Sequence, residues 1–223
     1  MLFFRVYQYL GPVILLPLTY WLWWQRFEDH RLVFLILSIP IVTAYIVPGL
    51  GTNWLKLWDF QTRWKLGRFR PHHGLLFGSA ASMFALICLA PPAEKIDLLE
   101  VLRAGFVLGS VLAFWNWLYD IYAVKSGFVR VYNRPYADRL GAEAIVTDYA
   151  PVYFGAFGFC FGVIIRLAEL WFIQSVQTEP FWPFLIGCHL AATGLPVMAY
   201  VANSLARHGE SGLRSYEGVS HET

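Results

Sequence analysis

The strongest chemical signal in the chain is Asp120, which ends the run Phe114-Trp115-Asn116-Trp117-Leu118-Tyr119-Asp120. A carboxylate at the centre of a bilayer costs about 2.5–3.5 kcal/mol on insertion scales, so one inside or at the edge of an apolar run needs a reason. Proton donation is one such reason. Acid–base work requires a carboxyl set against an apolar wall, and the tryptophan-rich surroundings of Asp120 offer one. Asn116 lies one helical turn earlier on the same face and is expected to orient the acid. Asp148 in Thr147-Asp148-Tyr149-Ala150-Pro151, or His73 in Pro71-His72-His73, would serve as partner base. Each reading has a structural counterpart. Asp148 also fits a helix N-cap ahead of Pro151, and Asp120 fits an interfacial anchor or an ion pair with Lys125 or Arg130. Asp59, His72, His73, Asn116, Asp120 and Asp148 are candidates to meet at one depth.

Trp115, Trp117, Tyr119 and Tyr153 are the candidate binding residues for an apolar molecule. Their ring faces would stabilise a developing carbocation by roughly 0.5–2 kcal/mol per contact. A metal centre is disfavoured, because neither His-x-x-x-His nor Glu-x-x-His occurs on a helix-forming stretch. There is no glycine-rich phosphate loop, no Gly-x-Ser-x-Gly elbow, no Asp-x-x-x-Asp pair and no Cys-x-x-Cys-His. No cofactor is indicated. Arg166 and Glu169, three residues apart, are expected to neutralise one another. His189, beside Gly187, Gly194 and Pro196, reads as a hydrogen-bonding residue between closely packed helices.

The elements that must position these groups are set by composition. Of the 223 residues, 57% are apolar or aromatic in the set AVILMFWYC and only 14% are charged, about half the charged share of a soluble domain. Mean hydropathy is +0.49. This excludes a disordered chain and a typical water-soluble enzyme, and a net charge of +2 gives no reason to expect a nucleic-acid partner. Cys88, Cys160 and Cys188 lie in apolar runs and read as free thiols. A bilayer core needs about 20 mostly apolar residues per helix. Six stretches meet or approach this: Tyr9–Trp24, Leu32–Leu50, Gly74–Leu89, Ala104–Tyr122, Tyr149–Ile165 and Trp182–Leu205. The expected fold is therefore an all-α polytopic membrane bundle of about six helices.

With six spans, the N-terminus, the 51–73 and 123–148 loops and the C-terminal tail hold twelve Lys and Arg, against four in the other loops. Basic loops stay on the cytoplasmic side, so both termini are expected in the cytoplasm, at a bacterial inner membrane. The two long loops mix rings with cations. Trp54, Trp58, Phe60, Trp64 and Phe69 lie in the first, and Phe128, Tyr132 and Tyr136 in the second. Such segments suit the headgroup layer, or fold over an entrance between the helices. An internal echo links Asn53-Trp54-Leu55 and Phe77-Gly78 with Asn116-Trp117-Leu118 and Phe154-Gly155. It fits two degenerate helical repeats, and chance spacing fits it nearly as well. Residues 1–206 read as one membrane domain, and 207–223 as a polar, loose cytoplasmic tail.

The run Trp117-Leu118-Tyr119-Asp120, followed by Gly127 and Asn133, resembles a motif of the small membrane lycopene cyclases of bacteria and archaea. In that family an aromatic–Asp pair ends a helix before a glycine-containing loop, and Pro-x-Glu-Glu opens the next helix. The corresponding segment here, Thr147 to Phe154, carries no glutamate pair. The resemblance spans about 40 residues and implies a relative acting on an isoprenoid or other long apolar substrate. The expected function is thus a membrane enzyme of isomerase or lyase type, with lipids and an apolar small molecule as partners. The competing expectation is a non-catalytic subunit or scaffold of a larger membrane complex. Self-association into a homo-oligomer fits either.

Overall fold

A computed structural model describes residues 2–91, 95–175 and 180–218. It is an all-α bundle, and five of its helices are long and apolar enough to cross a membrane. The main helices are α1 (Leu2–Phe27), α2 (His30–Gly49), α3 (His73–Cys88) and α4 (Leu98–Lys125), with α7 (Ala150–Ala168) and α8 (Phe181–His208). Helix α3, with 16 residues, is the short one, about 24 Å long. Two helices end in π-helical turns, Leu50–Trp54 after α2 and Glu169–Gln174 after α7. Helices α1, α4 and α8 outrun at both ends the apolar stretches that predict them, because hydropathy marks the oily middle and caps mark the ends. Asp97 is such a cap: its carboxyl accepts from the Glu100 amide at 2.9 Å, and α4 accordingly starts six residues before Ala104. At the other extreme, Gly209 adopts φ +70° and stops α8 with a left-handed residue.

The core is a contiguous set of aliphatic and aromatic side chains. Trp23 of α1, Leu35, Ile36 and Ile39 of α2, Leu108 and Leu112 of α4, and Phe157, Phe161 and Ile165 of α7 all belong to it. Helices α4 and α7 approach closely because glycines face each other, with Gly105 and Gly109 opposite Gly155, Gly158 and Gly162. A Cβ on Gly158 would stand 2.6 Å from the Leu108 carbonyl oxygen and 2.8 Å from Gly109 Cα. Backbone atoms cannot swing aside as a side chain does. Gly158→Ala is therefore expected to lower stability by about 1–3 kcal/mol, read as an earlier unfolding midpoint in detergent. Gly187→Ala is the control. No atom lies within 4 Å of that Cβ position, and no loss of packing is expected.

The end of the bundle opposite the two long loops is locked by a buried ion network. Glu169, fully buried, accepts from Arg166 Nη1 at 2.6 Å and from Arg26 Nη2 at 2.8 Å. Arg166 Nη2 also reaches Glu100 Oε1 at 3.0 Å. Both arginines donate to the α3–α4 connection as well, Arg26 to the Leu89 and Ala90 carbonyls and Arg166 to that of Ala90. The expected Arg166–Glu169 neutralisation is present, within a set that among the described residues holds four charges, from α1, α4, α7 and the π-helical turn after α7. Midway along the bundle, Ser38 and His189 are 3.3 Å apart and Thr43 and Thr193 3.1 Å apart, tying α2 to α8.

At the loop end the two long connections meet each other. Trp58–Phe60 (β1) pairs antiparallel with Val129–Val131 (β2), with Asp59 opposite Arg130. Two short helices, α5 (Arg134–Ala137) and α6 (Ala142–Thr147), complete the second connection. Phe60, Phe128, Val129, Val131 and Ile145 form a small apolar cluster with Phe4 of α1. The tail is not loose through residue 218. Arg68 and Glu217 form an ion pair at 2.8 Å, Ser215 Oγ donates to the Lys56 carbonyl at 2.6 Å, and the Tyr216 amide donates to that of Tyr132 at 2.9 Å. Polarity of the tail reflects partners on the loops it covers, not solvent alone. Residues 219–223 lie outside the described residues. The echo positions Phe77 and Phe154 touch, with ring centroids 5.9 Å apart. Asn53, by contrast, sits in the turn after α2, whereas Asn116 lies well inside α4.

Candidate functional site

Asp120 sits on the last two turns of α4, at the loop end. Its Oδ2 accepts from the Tyr149 hydroxyl at 2.8 Å. Tyr149 immediately precedes α7, so the bond joins the end of α4 to the start of α7. Neither Lys125 nor Arg130 pairs with Asp120. Lys125 pairs with Glu143, and Arg130 lies across the β ladder from Asp59. Asn116 does not orient the acid. Its Nδ2 donates back to the Leu112 carbonyl at 2.9 Å, the local bond that polar side chains within helices commonly form.

The residue next to this pair that the sequence reading missed is Arg70. It is 2% exposed, held in the bend before α3, with the Phe60 and Phe128 rings 4.5 and 5.2 Å from its guanidinium carbon. Its Nε and Nη2 lie 3.0 and 2.8 Å from His73 Nδ1. Arginine only donates, so Nδ1 accepts and the imidazole proton resides on Nε2. Burial disfavours the charge on Arg70, while Tyr119, Asp120 and Tyr7 around it favour that charge. Tyr119 packs between Phe4 and Tyr7, with centroids 5.1 and 6.3 Å away. Thus Arg70, His73, Tyr119, Asp120 and Tyr149 form one polar group within an aromatic shell. No family model, curated protein or solved structure matches this chain. The site therefore stands on its own geometry.

Asp148 belongs to a different group. It does not cap α7, whose flanking residue is Tyr149, but continues from α6 in helical conformation. Its carboxylate, 2% exposed, accepts from Asn133 Nδ2 at 3.1 Å and Arg207 Nη1 at 3.2 Å, and meets His208 Nε2 at 2.6 Å. Asn203 adds a bond to its carbonyl at 3.3 Å. Asp148 thereby fastens α8 to the second connection. Asp59 is bound by Gln61 at 2.7 Å and Lys65 at 3.1 Å. Of the six polar residues expected to converge, five share the loop end and Asn116 lies deeper in α4, and they divide into separate partnerships. Among the described residues no three His, Cys, Asp or Glu gather as a metal-binding group.

The four aromatic candidates do not line one hollow. Trp115 packs on Phe84 with its face half open. Trp117 Nε1 donates to Thr147 Oγ1 at 2.9 Å, and Tyr153 packs against Phe154. Tyr119 alone of the four is packed beside Arg70. The helical period explains the scatter, since residues 115 and 119 share a face while 117 points away. Two cavities lie elsewhere. One of about 610 Å³ is lined by His30, Arg31, Phe34, Phe181 and Trp182. The other, about 550 Å³, is an apolar groove between α7 and α8, bordered by Phe159, Cys160, Leu167, Phe184 and Cys188. Neither borders Asp120.

His72 provides a pH readout of this end of the molecule. Its Nε2 lies 3.2 Å from Gln8 Oε1, and burial, reinforced by the Arg70 charge, pushes its pKa from 6.5 to about 4. Between those values the unfolded chain binds the extra proton and the folded one does not. Stability from this group is accordingly flat above pH 6.5 and falls as pH drops toward 4. His72→Gln is expected to flatten that decline in the unfolding midpoint measured against pH.

Proposed function

We propose that this protein is an integral membrane enzyme acting on a long apolar, isoprenoid- or lipid-like substrate by acid–base chemistry at the loop end. Six helices cross the bilayer, α3 being the short crossing, and both termini face the cytoplasm. The single observation carrying this reading is the hydrogen bond of 2.8 Å between Tyr149 Oη and Asp120 Oδ2, set beside a buried guanidinium. Asp120 is the acid. Tyr149 holds one carboxyl oxygen and leaves the other to carry the transferred proton. His73 and Tyr119 flank the pair.

A substrate already dissolved in the bilayer needs no enclosed tunnel. Asp120 is half-buried, and α4 offers Phe114, Trp115 and Tyr122 as exposed rings on nearby turns. Those rings hold the apolar chain against the helix, and the ring set beside the carboxyl itself, where positive charge would develop, is that of Tyr149. The lycopene cyclase resemblance, which also centres on Tyr119-Asp120, is in keeping with this chemistry.

A second reading, an accessory subunit of a membrane complex, is favoured by the α8 surface. Gly187 and Gly194 have open space where a Cβ would stand, and Gly187 borders the apolar groove. Gentle detergent extraction separates the two. A small particle retaining an apolar molecule, converted by the wild type and not by Asp120→Asn, is the enzyme's outcome. Stable co-migration with a large complex and no retained substrate would replace it with the subunit reading.

A further inference from the structure

Arg70 presents more donors than its surroundings accept. Two of its nitrogens converge on the one lone pair of His73 Nδ1. Nη1 and the hydroxyl of Tyr119 are both sealed from solvent, and neither meets full hydrogen-bond geometry, although the phenol and the guanidinium lie within hydrogen-bonding reach of each other. A buried guanidinium ordinarily ends on an anion, with its remaining donors satisfied. Among the described residues no carboxylate lies within ion-pair distance of Arg70. The one nearby, Asp120, is turned to Tyr149.

We propose that Arg70 Nη1 and the Tyr119 hydroxyl form a subsite for the phosphate head of an amphiphilic substrate. The chemistry of the donors selects the ligand. A guanidinium edge and a phenol suit a tetrahedral oxyanion, which accepts from both at once. Helix α3 starts three residues after Arg70, and its positive end adds to the same preference. The rings of Phe4, Phe60, Tyr7 and Phe128 exclude water around the anion, while its chain extends into the bilayer. This inference rests on the reading of Asp120 as the working acid, and it names the substrate class: a phosphorylated isoprenoid or other phosphorylated lipid-like chain.

The test uses the purified full chain in maltoside detergent, titrated with dodecyl phosphate and, separately, with inorganic phosphate. Saturable binding of dodecyl phosphate, weakened at least about tenfold in Tyr119→Phe and further in Arg70→Lys, is the expected result. Circular dichroism establishes that each variant is folded, and Tyr119→Phe alone decides the matter if Arg70→Lys does not fold. Equal affinity of wild type and Tyr119→Phe overturns the subsite, as does absence of binding to wild type, which assigns the two polar atoms to a buried water. Equal affinity for inorganic phosphate overturns the amphiphile. A failed titration together with lost turnover in Asp120→Asn removes the phosphate subsite and leaves the acid in place.

Discussion

Asp120→Asn is expected to leave a folded, membrane-inserted protein whose turnover of its apolar substrate falls by about 10²–10⁴-fold, the usual contribution of a positioned general acid. The substitution isolates chemistry from architecture. Asparagine has the same shape, and its Oδ1 still accepts from the Tyr149 hydroxyl 2.8 Å away, so the α4–α7 junction stays tied. What is removed is the proton a carboxyl can give. Binding of the substrate should change little, placing the loss in kcat and not in KM. Tyr149→Phe is the companion. It keeps the carboxyl but frees it to rotate, and its expected signature is a displaced pH profile with a smaller loss of rate.

Glu169→Ala has the largest expected effect on stability. The carboxylate is fully buried and binds both Arg26 and Arg166. Its removal strands two guanidinium groups at the end of the bundle, where among the described residues Glu100, bound to Arg166, is the one carboxylate left paired with them. Breaking a buried pair from one side costs about 3–5 kcal/mol, enough to eliminate most of the margin of an ordinary fold. The expected observation is loss of the monodisperse detergent-solubilised particle, or a steeply lowered unfolding midpoint. Glu169→Gln, which retains an acceptor for one arginine, should fall between the two. Normal behaviour of Glu169→Ala would mean that the network contributes little.

The long helices were legible in the sequence because membrane length and apolar content are local properties. Their ends were less so: α4 starts at Leu98 because Asp97 caps it, in a stretch too polar to register as a span. The loops illustrate the opposite case. Three-residue strands separated by some 70 positions carry no local signal, and Asp59 reveals its place opposite Arg130 only after the bundle has brought the connections together. The same holds for the site. Asp120 was legible as a carboxyl where carboxyls are costly. Its partner Tyr149, 29 residues away, was not, and Asn116 drew attention because shared helical facing is visible in sequence whereas a back-bond to Leu112 is not. Arg70 looked like one more interfacial cation among several. The signal that sets it apart is its position directly before Pro71-His72-His73, where the chain must turn into α3 and carry the side chain inward.

Mass spectrometry of the apolar molecules retained by the purified wild type and by Asp120→Asn tests the central claim most directly. If the Asp120–Tyr149 pair is a working acid, the variant accumulates an unconverted compound whose rearranged product accompanies the wild type. Identical contents in the two preparations, or nothing beyond bulk phospholipid in either, would contradict the claim and leave Asp120 as a tether between two helices.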